Sequence, residues 1–432
     1  MTPAQRYFSQ TKPSDRSKPE PTNRICWNQQ ILPNLLRKEI TITMAKMTGI
    51  RLAKRLDEVG FSDIVQIRNK VMELRAEGVA VHSLHGGEPF FETPGDIKYA
   101  AIQALVENQT HYAPSSGVLP LRKALVEKLA RKNRLHVTTD EVIATVGGSQ
   151  ALYGAFQSVL DPGDDALVFS PYWTPIADLI TGAQARPLRV PSSTARRNGI
   201  RNTLEQFSTP QTRAIYYNTP QNPSGLVFTR AEAEDVAAFA IERDLVVIAD
   251  EAYEDLVYDG EHVSIASLPG MLERTITCFT FSKTYAMTGW RAGYAVAQEP
   301  FMTALRKIVL YSTNGVATPM QYAMIHALTT PESKIASIRE EYRKRRDLLV
   351  AGLNEVGLEC ELPAGAFYAF PNVEKLHKNS RTAAQILLEK AHIATIPGSV
   401  FGAQGEGHLR FGYAITLKEI EDCVDALRRF FA

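Results

Sequence analysis

Lys283 and Arg291 lie on one short segment that also carries the hydroxyl groups of Thr280 and Ser282. The segment follows the apolar run 276–279, so it begins where a buried strand is expected to end. A lysine held against a buried strand end loses solvation, which lowers its pKa and leaves an amine that forms a Schiff base with a carbonyl. The guanidinium and the hydroxyl groups are suited to hold a phosphate. The segment therefore predicts a site for pyridoxal phosphate (PLP).

Asp250 is a second group that suits this chemistry. It ends the apolar run 245–249 and opens the sequence Asp-Glu-Ala-Tyr, which closes at Tyr253. A carboxylate beside a pyridine nitrogen keeps that nitrogen protonated, since opposite unit charges 4 Å apart attract by about 4 kcal/mol at a surface-like dielectric. Aspartates at strand ends more often form turns or helix caps. The Lys283 segment downstream favours the cofactor role.

Three further features suit an anion or an aromatic ring. Gly148 and Ser149 follow an apolar run and start a helix, where free backbone N–H groups and the helix dipole bind phosphate. The indole of Trp173 can stack on a pyridine ring, which adds about 0.5–1.5 kcal/mol beyond burial. Arg410 offers parallel donors that fit a carboxylate. Each has an ordinary structural alternative: a tight turn, a packed core tryptophan or a solvated arginine.

The elements that must position these groups alternate along the chain. Between about residues 95 and 330, predicted helices alternate with short apolar runs at 142–146, 166–169, 214–217, 245–249, 276–280 and 292–296. This alternation predicts an α/β fold with a mostly parallel central sheet flanked by helices. Active sites of such sheets lie beyond the carboxyl ends of the strands, and the groups around Gly148, Trp173, Asp250 and Lys283 all follow such runs.

The flanking parts of the chain show a different pattern. A helix is predicted near 64–74 and a strand at 79–84. Towards the C-terminus the pattern predicts a long charged helix at 333–356, short strands at 367–370, 393–396 and 409–411, and a closing helix near 417–430.

Composition excludes several classes of protein. The 432 residues are 44% hydrophobic with a formal net charge of +1, so no overall basic field favours nucleic acid or an anionic membrane. No apolar stretch is long enough to span a bilayer. The 4 cysteines and 9 histidines lack ligand spacing, so we expect no metal site and a reduced, cytoplasmic protein.

The first residues differ from the rest of the chain. Residues 1–48 are polar and broken by prolines, without the apolar core of a secretory signal. We expect a disordered extension or a start codon assigned too far upstream, with Met44 or Met47 as the true start; an organelle transit peptide is the alternative.

The motifs together resemble those of class I and II aminotransferases, which are fold type I PLP enzymes, and most of all the bacterial aspartate-aminotransferase-like subgroup. The matching motifs run from about Gly87 to Arg410. The resemblance implies a large PLP-binding domain at 95–331 and a smaller α+β domain built from 49–94 and 332–432. It also implies a homodimer with shared active sites.

The resemblance assigns a role to each candidate residue. Lys283 carries the cofactor as a Schiff base and is the catalytic acid and base. The cofactor-binding residues are Gly148, Ser149, Thr280, Ser282 and Arg291 at the phosphate, Asp250 at the ring nitrogen, Asn222 and Tyr253 at the phenolic oxygen, Trp173 on the ring face, and Tyr112 reaching the partner subunit's phosphate. The substrate-binding residues are Gly87, Asn222 and Arg410, of which Arg410 clamps the α-carboxylate.

Three positions depart from the family pattern. Thr280 replaces the usual serine or glycine and keeps a hydroxyl group, while Phe90 replaces the usual aspartate. Some aspartate-using relatives carry a lysine at the position of Ser149, where it reaches the distal carboxylate of the substrate. The absence of that lysine weakens an assignment to aspartate.

We therefore expect a PLP-dependent aminotransferase that moves an amino group between an L-amino acid and a 2-oxo acid, by a ping-pong mechanism through pyridoxamine phosphate. The alternative is another fold type I PLP enzyme acting on an amino acid: a lyase, racemase, decarboxylase or cyclase. A ligand-sensing transcription regulator is disfavoured, because the segment before Arg51 shows no pattern of a helix-turn-helix. The identity of the donor and acceptor is not readable from the sequence.

Overall fold

A seven-stranded sheet lies at the centre of the computed structural model, which describes residues 53–57, 59–60 and 63–432. The strands, numbered along the chain, are β1 (His82–Ser83), β2 (Val142–Val146), β3 (Asp165–Ser170), β4 (Arg186–Pro191), β5 (Thr212–Asn218), β6 (Val246–Asp250), β7 (Thr275–Thr280), β8 (Ala292–Val296), β9 (Tyr368–Ala369), β10 (Ile393–Ala394), β11 (Ile396–Pro397) and β12 (Leu409–Gly412). The central sheet has the order β2-β8-β7-β6-β5-β3-β4. The prediction for residues 1–48 lies outside the described residues.

Six of the seven central strands run in one direction. The pairs β4/β3, β3/β5, β5/β6 and β6/β7 are parallel, whereas β8 is antiparallel to both β7 and β2. The carboxyl ends of β2, β3, β5, β6 and β7 therefore share one edge. This confirms the predicted fold class and brings the motifs that follow these strands to the same edge.

The α-helices pack either around this sheet or with the short strands outside it. They are α1 (Asp63–Ala76), α2 (Gly95–Val106), α3 (Leu119–Lys128), α4 (Gly147–Val159), α5 (Pro175–Gly182), α6 (Ser192–Asn198), α7 (Ile200–Phe207), α8 (Arg230–Glu242), α9 (Phe301–Thr313), α10 (Thr318–Ala327), α11 (Glu332–Glu355), α12 (Ser380–Ala391) and α13 (Leu417–Phe431). Among the described helices, none is long and apolar enough to cross a membrane.

The two faces of the sheet bury separate cores, because successive strand residues point to opposite faces. On one face Tyr216 and Ile248 pack with α4 and α9. On the other face Tyr217 and Val247 pack with α7 and α8. A strand that is buried on both faces has a continuous apolar sequence. Most of these strands could therefore be predicted from the sequence.

The C-terminal elements form a further core with the β1 segment. β1 pairs in parallel with β10, and the N–H of Gly412 on β12 donates to the Leu84 carbonyl at 2.6 Å. Leu84 shares a buried cluster with α11, α12 and α13. These contacts agree with a small domain made from separated segments, whose boundaries at 49–94 and 332–432 stay predictions.

Several predicted elements differ in extent. The strand expected at 79–84 contains only β1, and the strand expected at 393–396 is split into β10 and β11. β4 was missed: two prolines and two arginines in its six residues hide an edge strand from an apolar pattern. Helix α4 begins at Gly147, so both glycines lie in its first turn.

Candidate active site

One cavity of about 770 Å³ opens at the carboxyl edge of the sheet. It collects nearly all the residues that the sequence proposed for cofactor and substrate. Those lining it are Gly87, Gly148, Ser149, Trp173, Asn222, Asp250, Tyr253, Thr280, Ser282, Lys283, Arg291 and Arg410. Tyr112 is the exception: it is 95% exposed on the surface of the chain and does not line this cavity.

Lys283 lies on the turn that follows β7. Its Nζ donates to the carbonyl oxygen of Gly87 at 2.7 Å. Burial, together with the nearby Arg410 guanidinium and against the opposing effect of the Glu88 carboxylate, lowers the pKa of Lys283 to about 8. Because the pKa lies near neutrality, an appreciable fraction of the amine is free to act as a nucleophile or base.

Asp250 ends β6 and is buried. Its carboxylate accepts from the Tyr216 hydroxyl at 2.7 Å and from the Ala252 N–H at 3.2 Å. Burial raises the pKa of Asp250 to about 6, although both donors act to lower it. The carboxylate thus has neutral hydrogen-bond donors and no bonded cation among the described residues, which leaves it suited to a cationic ring nitrogen.

The N-terminus of α4 faces the Arg291 guanidinium. Gly147 has φ +72°, and a Cβ there would lie 2.7 Å from Nη2 of Arg291. Arg291 itself donates from Nη1 to the Thr288 carbonyl at 2.7 Å. Thr280 donates to Ser282 through their hydroxyl groups at 2.9 Å, at the same end of the cavity. Glycine at this turn leaves open a cradle of helix N–H groups, hydroxyl groups and a guanidinium, which fits a phosphate.

Arg410 is buried on β12 and reaches across to two other elements. Nη1 donates to Oδ1 of Asn222 at 3.0 Å, and Nη2 donates to the His85 carbonyl at 3.0 Å. Its Nε is buried and has no partner among the described residues. The buried charge is therefore incompletely satisfied by the described residues, and the side chain lines the cavity, where an anionic group can pair with it.

Tyr253 is positioned by Tyr368, a residue that the sequence analysis missed. Their hydroxyl oxygens lie 2.9 Å apart, and the Tyr368 hydroxyl also approaches Gly87, where a Cβ would meet it at 2.9 Å. Burial raises the pKa of Tyr253 well above its ordinary value, so its hydroxyl remains protonated and able to donate. No local pattern marked Tyr368, because it lies on the two-residue strand β9.

The donor set as a whole fits PLP. The amine of Lys283 and the unpaired carboxylate of Asp250 line the same cavity as the phosphate cradle at α4. Two further residues near the site were also missed: His85, whose backbone holds Arg410, and Tyr216, which binds Asp250. Both lie in apolar or strand-like runs that read as core.

A separate buried cluster contains potential metal ligands. Glu251, Glu254 and His262 place ligand atoms within 4.8 Å of one another. Internal groups already bind these carboxylates: Ser264 donates to Glu251 at 2.7 Å, and Lys128 donates to Glu254 at 2.5 Å. The expectation that the protein uses no metal stays a prediction.

The chain is similar to known proteins over most of its length. Residues 81–427 match the family model described as aminotransferase class I and II. The chain is 40% identical over 387 residues to a probable aspartate/prephenate aminotransferase of Thermus aquaticus, covering 88% of this chain and 98% of that protein. It is also 38% identical over 386 residues to aromatic-amino-acid aminotransferase 2 of Thermococcus litoralis, covering 88% of this chain and 97% of that protein.

The fold is also similar to that of a solved aminotransferase structure. A tetra mutant of the Thermus thermophilus aspartate aminotransferase, complexed with tryptophan, superposes with a TM-score of 0.83 at 38% identity. The match covers 88% of this chain and 99% of that one.

Proposed function

Because the chain belongs to the class I and II aminotransferases, which depend on PLP, we propose that its cavity is the active site and that Lys283 supplies the amine that holds the cofactor. The protein is a PLP-dependent aminotransferase, acting on amino acids and 2-oxo acids. The observation that supports the site is the single cavity lined by Lys283, Asp250, Arg291 and Arg410.

The chain's own residues divide the work of the reaction. PLP, when bound, supplies the electron sink for the substrate carbanion. Lys283, with its pKa near 8, moves the proton at the substrate Cα. Asp250 offers its carboxylate to the ring nitrogen, and Arg291 with the N-terminus of α4 holds the phosphate.

Arg410 and Asn222 orient the substrate. The Arg410 guanidinium lines the cavity and receives the α-carboxylate, while Asn222 fixes the plane of that guanidinium through its 3.0 Å hydrogen bond. Fixing the carboxylate restricts rotation of the substrate, and full orientation of reacting groups contributes roughly 7–11 kcal/mol, of which this contact supplies a part.

The side chain of the substrate faces apolar groups. Leu152, Trp173 and Ile415 line the cavity beside Ser149. Lys283, Arg291 and Arg410 are assigned to the cofactor and the α-carboxylate. Arg68 is therefore the one remaining lysine or arginine among the residues that line the cavity, and it is exposed. An exposed ion pair contributes only about 0–1 kcal/mol, so burial of an apolar side chain outweighs it. The preferred donors are therefore aromatic or other apolar amino acids rather than aspartate.

The functional unit is a homodimer. Tyr112 is 95% exposed. Tyr99, Ile102 and Val106 on the preceding helix α2 are also exposed, as is Tyr311 on α9. Exposed apolar side chains concentrated in one region favour a protein interface, and Tyr112 there is suited to complete the partner subunit's phosphate site.

The buried free thiols of Cys278, Cys360 and Cys423 agree with a cytoplasmic location.

The test is the absorbance spectrum of the purified enzyme after addition of single amino acids without any oxo acid. Phenylalanine or tyrosine should bleach the cofactor band faster than aspartate. Ser149→Lys should raise kcat/KM for aspartate, whereas Ser158→Lys, with the same charge change at the other end of α4, should not. Faster reaction of wild-type enzyme with aspartate would contradict the substrate proposal, and a protein that PLP cannot colour would contradict the site.

A further inference from the structure

Tyr216 and Asp250 meet across neighbouring parallel strands. Tyr216 lies on β5, opposite Ile248 of β6, and its hydroxyl donates to Oδ2 of Asp250 at 2.7 Å. Both side chains are buried, with 1% and 6% of their surface exposed. The Tyr216 ring packs against Phe156 of α4, with 6.2 Å between ring centroids. A buried donor held on both sides in this way has little freedom to leave its acceptor.

The surroundings of Asp250 make this hydrogen bond important. The second donor is the Ala252 N–H, which binds the other oxygen at 3.2 Å. The charged and titratable groups around Asp250 are Glu251, which disfavours its ionisation, Lys283, which favours it, and Tyr253 and Cys278, which burial keeps neutral. Burial also keeps the pKa of Tyr216 well above its ordinary value, so its hydroxyl donates throughout the working pH range.

We propose that Tyr216 is a positioning residue of the transamination reaction, whose hydroxyl holds the Asp250 side chain as an oriented carboxylate for the cofactor's ring nitrogen. The proposal rests on the role of Asp250 proposed above. It adds a residue that touches neither substrate nor cofactor and acts through its hydrogen bond to Asp250. Without that bond, the buried carboxyl group keeps the Ala252 N–H as its donor, so it is more readily protonated and less firmly oriented.

The next residue provides a matched control. Tyr217 is also fully buried in β5, but it points to the other face of the sheet, 4.7 Å from the ring of Phe228. Its hydroxyl has no hydrogen-bond partner among the described residues. Tyr216→Phe and Tyr217→Phe therefore remove the same atom from the same strand, and only the first removes a bond to Asp250.

The experiment compares these two variants with wild-type enzyme. For Tyr216→Phe we expect kcat to fall about ten-fold with little change in KM, the range for a hydrogen bond to a charged group. The acidic limb of its pH–rate profile should move to higher pH, because Asp250 loses a donor that favours its ionised form. Tyr217→Phe should leave kcat, KM and the pH profile unchanged.

A second measurement uses the cofactor-free protein. Infrared difference spectra recorded during a pH titration detect a protonated carboxyl group, and the band assigned to Asp250 is the one absent from Asp250→Asn. In Tyr216→Phe this band should persist to higher pH than in wild type or Tyr217→Phe. This readout does not depend on turnover.

The outcomes separate the inference from the function on which it rests. Equal pH profiles and equal infrared titrations for Tyr216→Phe and Tyr217→Phe would overturn the role of Tyr216. If Asp250→Asn kept its PLP affinity and activity, the proposed role of Asp250 would fail as well. Loss of both in Asp250→Asn, with no effect of Tyr216→Phe, would overturn the inference alone.

Discussion

The Nζ of Lys283 lies 2.7 Å from the carbonyl oxygen of Gly87, although 196 residues separate them in the sequence. The bond joins the turn after β7 to the loop after β1. A carbonyl accepts from an amine but carries no charge to offset the desolvation of an ammonium group. This agrees with the lowering of the pKa of Lys283 to about 8 through burial.

Replacement of Lys283 by methionine should abolish transamination and change how stability depends on pH. The pKa of Lys283 falls from 10.5 to about 8 on folding, so between these values the unfolded protein binds more protons and wild-type stability rises with pH. At neutral pH the cofactor-free variant should be more stable than wild type by about 3 kcal/mol. Urea unfolding at neutral and alkaline pH tests this; equal pH dependence of both proteins would contradict it.

Gly147→Ala should weaken PLP binding by roughly 10- to 100-fold, the loss expected for a hydrogen bond to a charged group. The new Cβ would lie 2.7 Å from Nη2 of Arg291, which must move away from the phosphate cradle. Gly163→Ala is the control, because Gly163 also has positive φ but no atom within 4 Å of an added Cβ. Titration of the cofactor-free proteins with PLP should separate the two variants, and equal affinities would contradict the cradle.

Mixed dimers should test the role of Tyr112. We expect Tyr112→Phe to bind PLP weakly and Lys283→Met to be inactive. If Tyr112 completes the partner subunit's site, a dimer of one chain of each kind contains one site with both native residues, so mixing the two variants should recover activity. The reference activity is that of a mixture of Lys283→Met with Tyr311→Phe, a variant that also alters an exposed tyrosine. No recovery in the Tyr112 mixture would contradict the shared site.

Lys128→Met should destabilise the fold by roughly 3–5 kcal/mol, because it removes the cation that is bonded to a buried carboxylate. Lys128 and Glu254 form a buried ion pair at 2.5 Å. Burial acts to raise the pKa of Glu254, but Lys128 and Lys132 outweigh it and bring the pKa to about 2. The stability that this carboxylate contributes is present above 4.5 and is lost as pH falls towards 2, so the difference between variant and wild type should shrink over that window.

The control for that prediction is Lys344→Met, which removes a partner from the exposed pair with Glu341 and should change stability by less than about 1 kcal/mol. Urea unfolding of both variants measures the difference. A double variant, Lys128→Met with Glu254→Gln, should recover part of the loss because the Glu254 charge is removed together with its bonded cation. If Lys128→Met and Lys344→Met changed stability by similar amounts, the buried pair would contribute no more to stability than the exposed pair.

Most of the central strands could be predicted from the sequence. The elements and residues that were missed were missed for identifiable reasons. Runs such as those of β5, β6 and β7 are apolar because both faces of each strand are buried. β4 escaped because prolines and arginines occupy an edge position. Tyr216 and Tyr368 escaped because an aromatic residue in a strand is typical of core, and its hydroxyl partner lies on another element.

The sequence by itself determined the family, the fold class and the cofactor, since amine, carboxylate, guanidinium and glycine motifs recur at the ends of recognisable strands. The tertiary structure decided how these groups act on one another: Lys283 on Gly87, Tyr216 on Asp250, and Arg410 on Asn222. These pairs join distant segments, and their distances depend on strand register and on the packing of the C-terminal core. A local pattern of residue types specifies neither quantity, because both arise only when separated parts of the chain exclude water together.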